Sequence, residues 1–349
     1  ECHNEWEITF EEIHRNGAMS FAIFNYVRYT GDRSYLADKG FPVLLGVARF
    51  WAQRVNWSEA KGAWVMLGVT GPNEYENNVN NNWYTNYLAA WCLRYAADVA
   101  EELAQDFPEA WKELVAAWSF DADTELADWR AKAAGMHLPK LEGTQIWLQQ
   151  DGFMDKEQTL VADLPESERP INQHWSWDRI LRSVFIKQAD VLQGMYFFED
   201  DFDLATHEVN FDFYEPRTVH ESSLSPCVHV VLASKLNRPE QAYGLYLRTA
   251  RLDLDDYNAE AYQGLHITSM AGTWLSVVEG FGGFRVRDNM PRFRGQLPSG
   301  WSHFRFMVRF RGRLLEVQVH EAGTDVLLRE GAALEVEIDG EVKFLHPAA

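Results

Sequence analysis

The chain has 349 residues, of which 46% are hydrophobic and 14% aromatic, a composition typical of a globular protein with a large core. Its 52 acidic and 32 basic residues give a formal charge of −20, so its overall field repels nucleic acid and anionic membrane surfaces. No apolar run approaches the roughly 20 residues that a membrane-spanning helix needs.

The cysteines and the first residues indicate where the protein works. Cys2, Cys92 and Cys227 are widely spaced and show no metal-ligand pairing. They are typical of reduced thiols, so we expect a cytoplasmic protein. The chain starts with Glu-Cys-His and has no initial Met or signal-like segment. We therefore expect it to be part of a longer protein.

Helical periodicity dominates the first 280 residues. It predicts helices over 6–28 (with an interruption near Gly17), 32–37, 43–55, 83–103, 110–118, 124–134, 177–198, 226–236, 239–252 and 260–278. The periodicity fails over 138–166, where 145–153 is interpreted as a short strand or wall segment. Helices joined by irregular loops favour a barrel of helical hairpins with its site at one loop-rich end.

Beyond Gly280 the pattern changes to alternation with period two. Segments 301–310 and 313–320 flank Arg311-Gly312, and segments 334–338 and 342–345 flank Asp339-Gly340-Glu341, so two hairpins are predicted. We expect a helical catalytic domain over 1–285 and a small antiparallel β-sandwich domain over 286–349.

The segment 68–86 is the first candidate site. Its glycines, proline and asparagines exclude regular structure, and Tyr75, Trp83 and Tyr84 are interleaved with amides and Glu74. Exposed rings cost free energy unless they line something, and sugars offer apolar faces to rings and hydroxyls to amides. A solvated surface loop remains the alternative, and the residues alone favour a site only slightly.

This loop resembles, nearly residue for residue, the catalytic loop of maltose phosphorylases in glycoside hydrolase family 65. The resemblance extends over the whole chain but covers only the later part of such enzymes. It implies an N-terminally incomplete (α/α)6 barrel followed by a β-sandwich, with Glu74 as general acid. Such an acid must be protonated when the substrate binds, and Glu76 and phosphate are candidates for a helpful negative charge. The large N-terminal β-sandwich, the first barrel helices and an upstream Trp-Asp pair of that family have no counterpart in this sequence.

Lys187 and Gln188 fall within the apolar face of the helix predicted over 177–198. A lysine there either snorkels to solvent or faces a polar cavity. Ile186 to Asp190 matches the Lys-Gln segment that binds the non-reducing glucose in the resembled family. The resemblance thus implies that Lys187 and Gln188 bind substrate.

Ser222, Ser223 and Ser225 precede Pro226, which suits a first helical turn, so Ser225 is the expected N-cap. Amide and hydroxyl groups at a helix start can bind an anion, although serines that only cap and turn are equally common. His266 precedes another apolar helix, where a histidine is usually a core residue. In the resembled family both segments border phosphate, which implies Ser222, Ser223, His266 and, less certainly, His220 as phosphate ligands.

His3, Asn4 and Glu5 have no special physical signal, and a frayed terminus would be the default. In the resembled family this loop shapes the acceptor subsite, and its His-Asn-Glu form favours maltose. The implied reaction is inverting phosphorolysis of maltose to β-D-glucose 1-phosphate and D-glucose. It needs no cofactor and no metal, phosphate being a co-substrate.

Alternatives remain open. They are a kojibiose, nigerose or trehalose phosphorylase, an inverting hydrolase, and an inactive truncated fragment that only binds sugar. The family's tendency implies a homodimer when the protein is full length, with no nucleic-acid or membrane partner.

Overall fold

The computed structural model describes residues 10–347. Over these residues the chain is mainly helical and ends in a small β domain, which confirms the predicted fold class. It divides into two compact units, Glu1–Glu157 and Gln158–Ala349. Among the helices of residues 10–347, none has both the length and the apolar character that crossing a bilayer requires.

The first unit is built on long helices and one short hairpin. Its helices are α1 (His14–Thr30), α2 (Phe41–Arg54), α3 (Trp83–Asp106), α4 (Pro108–Trp118) and α5 (Ala122–Ala134). The helix predicted at 32–37 is helical from residue 34, and it continues as a π-helical turn over Leu36–Gly40 that leads into α2. Strands β1 (Asn56–Ser58) and β2 (Ala63–Val65) pair antiparallel. The core is centred on α3, of which one face is almost wholly buried.

The predicted interruption of α1 near Gly17 is wrong. Gly17 lies inside the helix and is buried. A Cβ atom there would meet Cγ of Leu88 at 2.5 Å, so the glycine permits close packing of α1 on α3. A helical glycine lowers helix propensity by about 1 kcal/mol, and close packing compensates for it here.

The stretch 138–166 is irregular, as predicted, but the strand interpretation of 145–153 is wrong. Trp147 forms an isolated bridge with Lys140 and belongs to no strand of the described chain. Phe153–Asp155 is a 3-10 turn. The segment is fixed by single contacts rather than by a sheet.

The second unit begins with short helices and continues with longer ones. They are α6 (Ile171–His174), α7 (Trp177–Leu181), α8 (Val191–Phe197), α9 (Leu204–Tyr214), α10 (Ser225–Lys235), α11 (Pro239–Ala250), α12 (Leu252–Asp255) and α13 (Ile267–Leu275), with a π-helical turn over Ser276–Phe281. The continuous helix predicted over 177–198 is therefore wrong, since residues 182–190 separate α7 from α8. The apolar spacing there reflects burial of an irregular segment.

The expected N-cap of α10 is also wrong. Ser225 is the first helical residue, and Leu224 occupies the capping position without a side-chain bond. The Ser225 hydroxyl instead lies 2.8 Å from Nδ1 of His220. The Ser225 hydroxyl that we expected to cap the helix backbone therefore contacts a histidine ring instead.

The C-terminal strands form two sheets. Strands β3 (Arg285–Arg287), β4 (Met290–Phe293), β8 (Leu334–Ile338) and β9 (Glu341–Leu345) form one, in that order, and β5 (His303–Phe310), β6 (Arg313–His320) and β7 (Gly323–Glu330) form the other. Both predicted hairpins are confirmed, with Phe310 opposite Arg313 and Ile338 opposite Glu341. All pairs are antiparallel except β4 and β8.

Candidate active site

The loop that carries Glu74 is closed at its base. Val69 and Val79 exchange both backbone hydrogen bonds, at 3.0 and 2.8 Å. The buried carboxylate of Glu11 accepts bonds from the Thr70 hydroxyl at 2.8 Å and from the backbone amide of Asn78 at 2.7 Å. The Asn78 side chain adds a third bond at 3.1 Å. Glu11 thus ties the two ends of the loop together, a role that no local sequence signal indicates.

Glu74 sits on a turn built by Asn73. The Asn73 side chain accepts a bond from the amide of Tyr75 at 3.2 Å, and its carbonyl accepts one from Glu76 at 3.2 Å. Glu74 is partly buried. The turn therefore fixes the backbone on both sides of the proposed acid.

His14, at the start of α1, is an electrostatic neighbour of this acid. Its ring donates from Nδ1 to the carbonyl of Thr70 at 3.2 Å. Burial lowers the pKa of His14 to about 4, and the negative charge of Glu74 acts in the opposite direction. The imidazole is neutral near pH 7, so it fixes the loop without adding a positive charge beside Glu74.

Glu76 does not supply the negative charge that we expected beside Glu74. It is buried and ion-paired with Lys156, and Gln150 donates to it at 2.9 Å. Burial raises the pKa of Glu76, and the Lys156 charge opposes that effect. Because a lysine neutralises this carboxylate, it contributes little field at its neighbour.

The premise that the aromatic rings of the loop are exposed is wrong. Tyr75, Trp83 and Tyr84 are all buried, with exposed fractions of at most 3%. Trp83 stacks on Tyr87 with ring centroids 5.0 Å apart, and Tyr84 packs against His14. These rings are core residues and not exposed groups that line a site.

Two asparagines of the loop are likewise structural. Asn82 caps α3 by accepting from the amide of Thr85 at 2.8 Å. Asn81 has a positive φ, accepts from Met66 at 3.0 Å and donates to Asp151 at 2.7 Å. The amides that we expected to meet sugar hydroxyls thus hold the backbone in place.

In the second unit, a backbone bridge joins two of the predicted clusters. Ile186 donates to the carbonyl of Arg217 at 3.0 Å, and Val219 donates to the carbonyl of Ile186 at 2.9 Å. Ile186 and Thr218 pair in parallel. Lys187 and Gln188 therefore follow the bridge on one of the two paired segments, and Val219 and His220 follow it on the other.

Gln188 has the features of a ligand-binding amide. Its side chain is buried, and its Oε1 atom accepts no hydrogen bond from any residue in the range 10–347. An unsatisfied buried carbonyl costs about 1–3 kcal/mol, so a bound hydroxyl group would stabilise it. Lys187, beside it, is partly exposed. Neither residue is helical, contrary to the prediction.

A side-chain bond joins the serine cluster to the His266 segment. The Ser223 hydroxyl lies 2.6 Å from that of Thr268, in the first turn of α13. His266 precedes this helix, and Asp253 accepts from its Nδ1 at 2.5 Å and from its backbone amide at 2.9 Å. His266 is therefore positioned by a carboxylate rather than packed in the core.

The start of α10 offers fewer amides than the sequence suggested. The amide of Leu224 bonds to the Ser222 hydroxyl at 3.3 Å, and that of Ser225 bonds to the Ser222 carbonyl at 3.2 Å. Pro226 has no amide hydrogen. The amides of Leu224 and Ser225 are thus already engaged within the turn, and its hydroxyl groups are further donors that could reach an anion.

His220 belongs to a buried cluster with Glu215 and His229. Glu215 contacts Nε2 of His220 at 3.4 Å and also pairs with Nδ1 of His229. Burial lowers the pKa of His220 to about 4, so its ring is neutral at pH 7. The three side chains could also coordinate a metal, since their potential ligand atoms lie within 4.8 Å of one another. Direct bonds between carboxylate and rings account for the arrangement without one.

Arg248 is a candidate that the sequence analysis missed. From α11 it donates to the carbonyls of Val219 at 3.3 Å and His220 at 3.1 Å. Its Nε–H is buried and bonds to no residue of the described part of the chain. It therefore brings a cation to the segment that precedes Ser222, and only the tertiary structure reveals this.

His3, Asn4 and Glu5, predicted to form the acceptor subsite, lie outside the described residues.

The geometry and the sequence comparisons define one class of protein. Residues 1–275 match the glycosyl hydrolase family 65 central catalytic domain, and residues 284–345 match the glycosyl hydrolase family 65, C-terminal domain. The chain therefore belongs to glycoside hydrolase family 65. The boundary that we placed at 285/286 stays a prediction.

Several relatives are disaccharide phosphorylases. Maltose phosphorylase of Bacillus subtilis (strain 168) is 51% identical over 99% of this chain and 45% of its own length. Alpha,alpha-trehalose phosphorylase of Thermoanaerobacter brockii is 36% identical over 96% of the chain and 43% of its own length. A solved structure described as a putative kojibiose phosphorylase from human microbiome superposes with a TM-score of 0.87 at 30% identity, covering 95% of this chain and 48% of that one. The chain thus spans a little less than half the length of these relatives.

Proposed function

We propose that the protein containing this chain is an inverting disaccharide phosphorylase that converts maltose and phosphate to β-D-glucose 1-phosphate and D-glucose. One observation carries the proposal. The Ile186–Thr218 bridge and the Ser223–Thr268 bond gather the candidate glucose ligands and the candidate phosphate ligands within one unit. The 51% identity to a maltose phosphorylase supports the choice of sugar.

Lys187 and Gln188 bind the non-reducing glucose in this proposal. The unsatisfied Oε1 of Gln188 accepts a sugar hydroxyl. Ser222, Ser223 and His266 hold phosphate, with His220 as a further candidate. Glu74 donates its proton to the glycosidic oxygen as the second glucose departs. His3, Asn4 and Glu5 shape the subsite for that departing glucose.

Phosphate makes a second catalytic carboxylate unnecessary. An inverting hydrolase needs a base roughly 6.5–9.5 Å from its acid to activate water. Phosphate is already an anionic nucleophile, so hydroxyl and imidazole groups that position it can replace the base. The attack occurs on the face of the sugar opposite the departing oxygen, which inverts the anomeric centre.

The proposed reaction uses no cofactor and no metal ion. We also propose a cytoplasmic homodimer for the full-length protein, following the tendency of the family, with maltose and phosphate as its only ligands in catalysis.

The decisive experiment measures glucose 1-phosphate formed from maltose by the full-length protein, with and without phosphate. Glu74→Gln should reduce the rate by at least about 10²-fold because its amide cannot act as an acid. Glu113→Gln, an exposed change on α4, is the matched control and should retain the rate. Phosphorolysis by Glu74→Gln at the control rate would remove Glu74 from this role.

The same assay separates the rivals. Glucose release that does not depend on phosphate would identify an inverting hydrolase, and sugar binding without turnover would identify a binding protein. A panel of maltose, trehalose, kojibiose and nigerose tests the substrate, and a higher kcat/KM for another disaccharide would replace maltose.

A further inference from the structure

A cavity lies where the helices of the second unit meet the C-terminal strands. Its volume is about 740 Å³, within the roughly 300–1,000 Å³ typical of ligand pockets. Its walls come from the end of α10, the turn after α13, strands β3 and β4 with the segment after them, and the hairpin of β8 and β9. None of the predicted glucose or phosphate ligands lines it.

The charges around this cavity are balanced. Five cationic and five anionic side chains line it. Buried Glu199 pairs with Arg285 at 2.5 Å, with Arg287, and with Lys235 at 3.6 Å. Burial acts to raise the pKa of Glu199, but these cations outweigh it and lower the pKa to about 2. Lys235, Arg285 and Arg287 already have Glu199 as their partner, and Arg292 pairs with Glu337, so an anionic ligand would have to compete with carboxylates for four of the five cations.

Two polar atoms of the wall have neither a hydrogen bond nor an ion pair. They are Oγ of Ser234 and Oε1 of Gln296, which bond to no residue of the range 10–347. Gln296 is otherwise fixed, because its Nε2 donates to Asn237 at 2.7 Å. Buried polar atoms are nearly always satisfied, so two beside one cavity indicate a polar occupant.

The donors and acceptors favour a ligand rich in hydroxyl groups. Each hydroxyl both donates and accepts, so one class of ligand can bond to the Ser234 hydroxyl and donate to the Gln296 amide oxygen. The described wall contains a single aromatic residue, the buried Phe293, which gives no platform for a planar base. We infer that this cavity is a second binding site, separate from the proposed active site, for a neutral saccharide.

The test is calorimetry with glucose and maltose on the full-length protein carrying Glu74→Gln, which blocks turnover. We expect two binding events. Adding Ser234→Ala and Gln296→Ala should weaken one event about tenfold, since each removes a hydrogen bond. Gln318→Ala, a glutamine outside the cavity whose amide bonds to Glu316, is the control and should leave both events unchanged.

Asn237→Gly offers a second route if the double variant folds poorly, because it removes the partner that orients Gln296 and glycine tolerates the positive φ of this position. It should weaken the same event. Three results would overturn the inference: a single binding event that the cavity variants leave unchanged, two events that are both unaffected by these variants, or binding of inorganic phosphate but not of sugar to this cavity.

The test of this second binding site is independent of the proposed reaction. If the protein produced no glucose 1-phosphate, yet one sugar-binding event responded only to the cavity variants, the proposed function would fail and the second site would stand.

Discussion

Replacing Glu11 with alanine should release the loop that carries Glu74. Glu11 accepts three bonds, from Thr70 at 2.8 Å and from Asn78 at 2.7 and 3.1 Å. The alanine leaves the buried Thr70 hydroxyl and the Asn78 amide without this partner. Each unsatisfied buried group costs about 1–3 kcal/mol, so we expect the closed loop to lose about 2–4 kcal/mol.

Hydrogen exchange measures this effect directly. The amides of Val69 and Val79, which close the base of the loop, should exchange faster by the factor that corresponds to this loss. In the phosphorolysis assay kcat should fall at least about tenfold, because small misplacement of a catalytic group is costly. The KM for maltose should change less, since the substitution acts on the loop of the proposed acid rather than on Lys187 or Gln188.

The control is Glu109→Ala, which removes an exposed carboxylate that pairs with Lys112 on the surface. It should leave both exchange and turnover unchanged. Equal exchange of the loop amides in Glu11→Ala and Glu109→Ala would refute the view that this carboxylate holds the loop closed.

Other regions give equally direct predictions. Gly17→Ala should destabilise the protein by about 1–3 kcal/mol in urea unfolding, because its Cβ would meet Leu88 at 2.5 Å. The double variant Gly17→Ala/Leu88→Ala should be destabilised by less than the sum of the two single variants, because the shorter side chain at 88 makes room for the added Cβ. Asn82→Ala should cost about 0.5–2 kcal/mol in the same assay through loss of the cap on Thr85, and an unchanged midpoint would contradict that role. The pKa of His14 is about 4 when folded against 6.5 when unfolded, so its stabilisation is present above pH 6.5 and lost as the pH falls to 4. The unfolding free energy should therefore fall more steeply across this window than in His14→Gln.

Features set by local chemistry could be predicted from the sequence. Both hairpins turn through residues with positive φ, Arg311 and Gly312 at 48° and 77°, and Asp339 and Gly340 at 51° and 88°. Glycine adopts such angles without strain and aspartate tolerates them, so the dipeptides indicate the turn without knowledge of the rest of the fold. The parallel pairing of β4 with β8 joins residues 45 positions apart, such as Arg292 and Glu337, and leaves no local signal.

Residues 182–190 show how burial can imitate a helix. Ile180, Val184, Gln188 and Val191 are all buried, and their spacing of three or four residues satisfies a helical pattern. The backbone at Ile186 instead bonds to the strand-like segment around Thr218. Periodicity shows which side chains avoid water but does not distinguish a helix from an irregular buried segment. The bridge partner that keeps Ile186 out of a helix, Thr218, is 32 residues away in the sequence.

The candidate site also contains residues that the local sequence identifies and residues that it does not. Glu74 could be singled out because its loop has a distinctive composition, whereas Glu11 supports that loop through bonds to residues 59 and 67 positions away. Arg248 likewise reaches the carbonyl of His220 from another helix. Supporting residues of this kind depend on tertiary contacts that no short motif contains.

The charges around His220 bear on how a protein of net charge −20 would use phosphate as a nucleophile. Burial acts to raise the pKa of Glu215, but its contacts with His229 and His220 outweigh burial and lower that pKa well below its usual range. His220 itself is neutral at pH 7, and Arg248 brings a cation to this segment. In the proposed reaction, hydroxyls and imidazole rings would therefore orient phosphate, with the charge of Arg248 nearby. A denser set of cations would bind the anion more tightly but would also withdraw the charge with which it must attack the sugar.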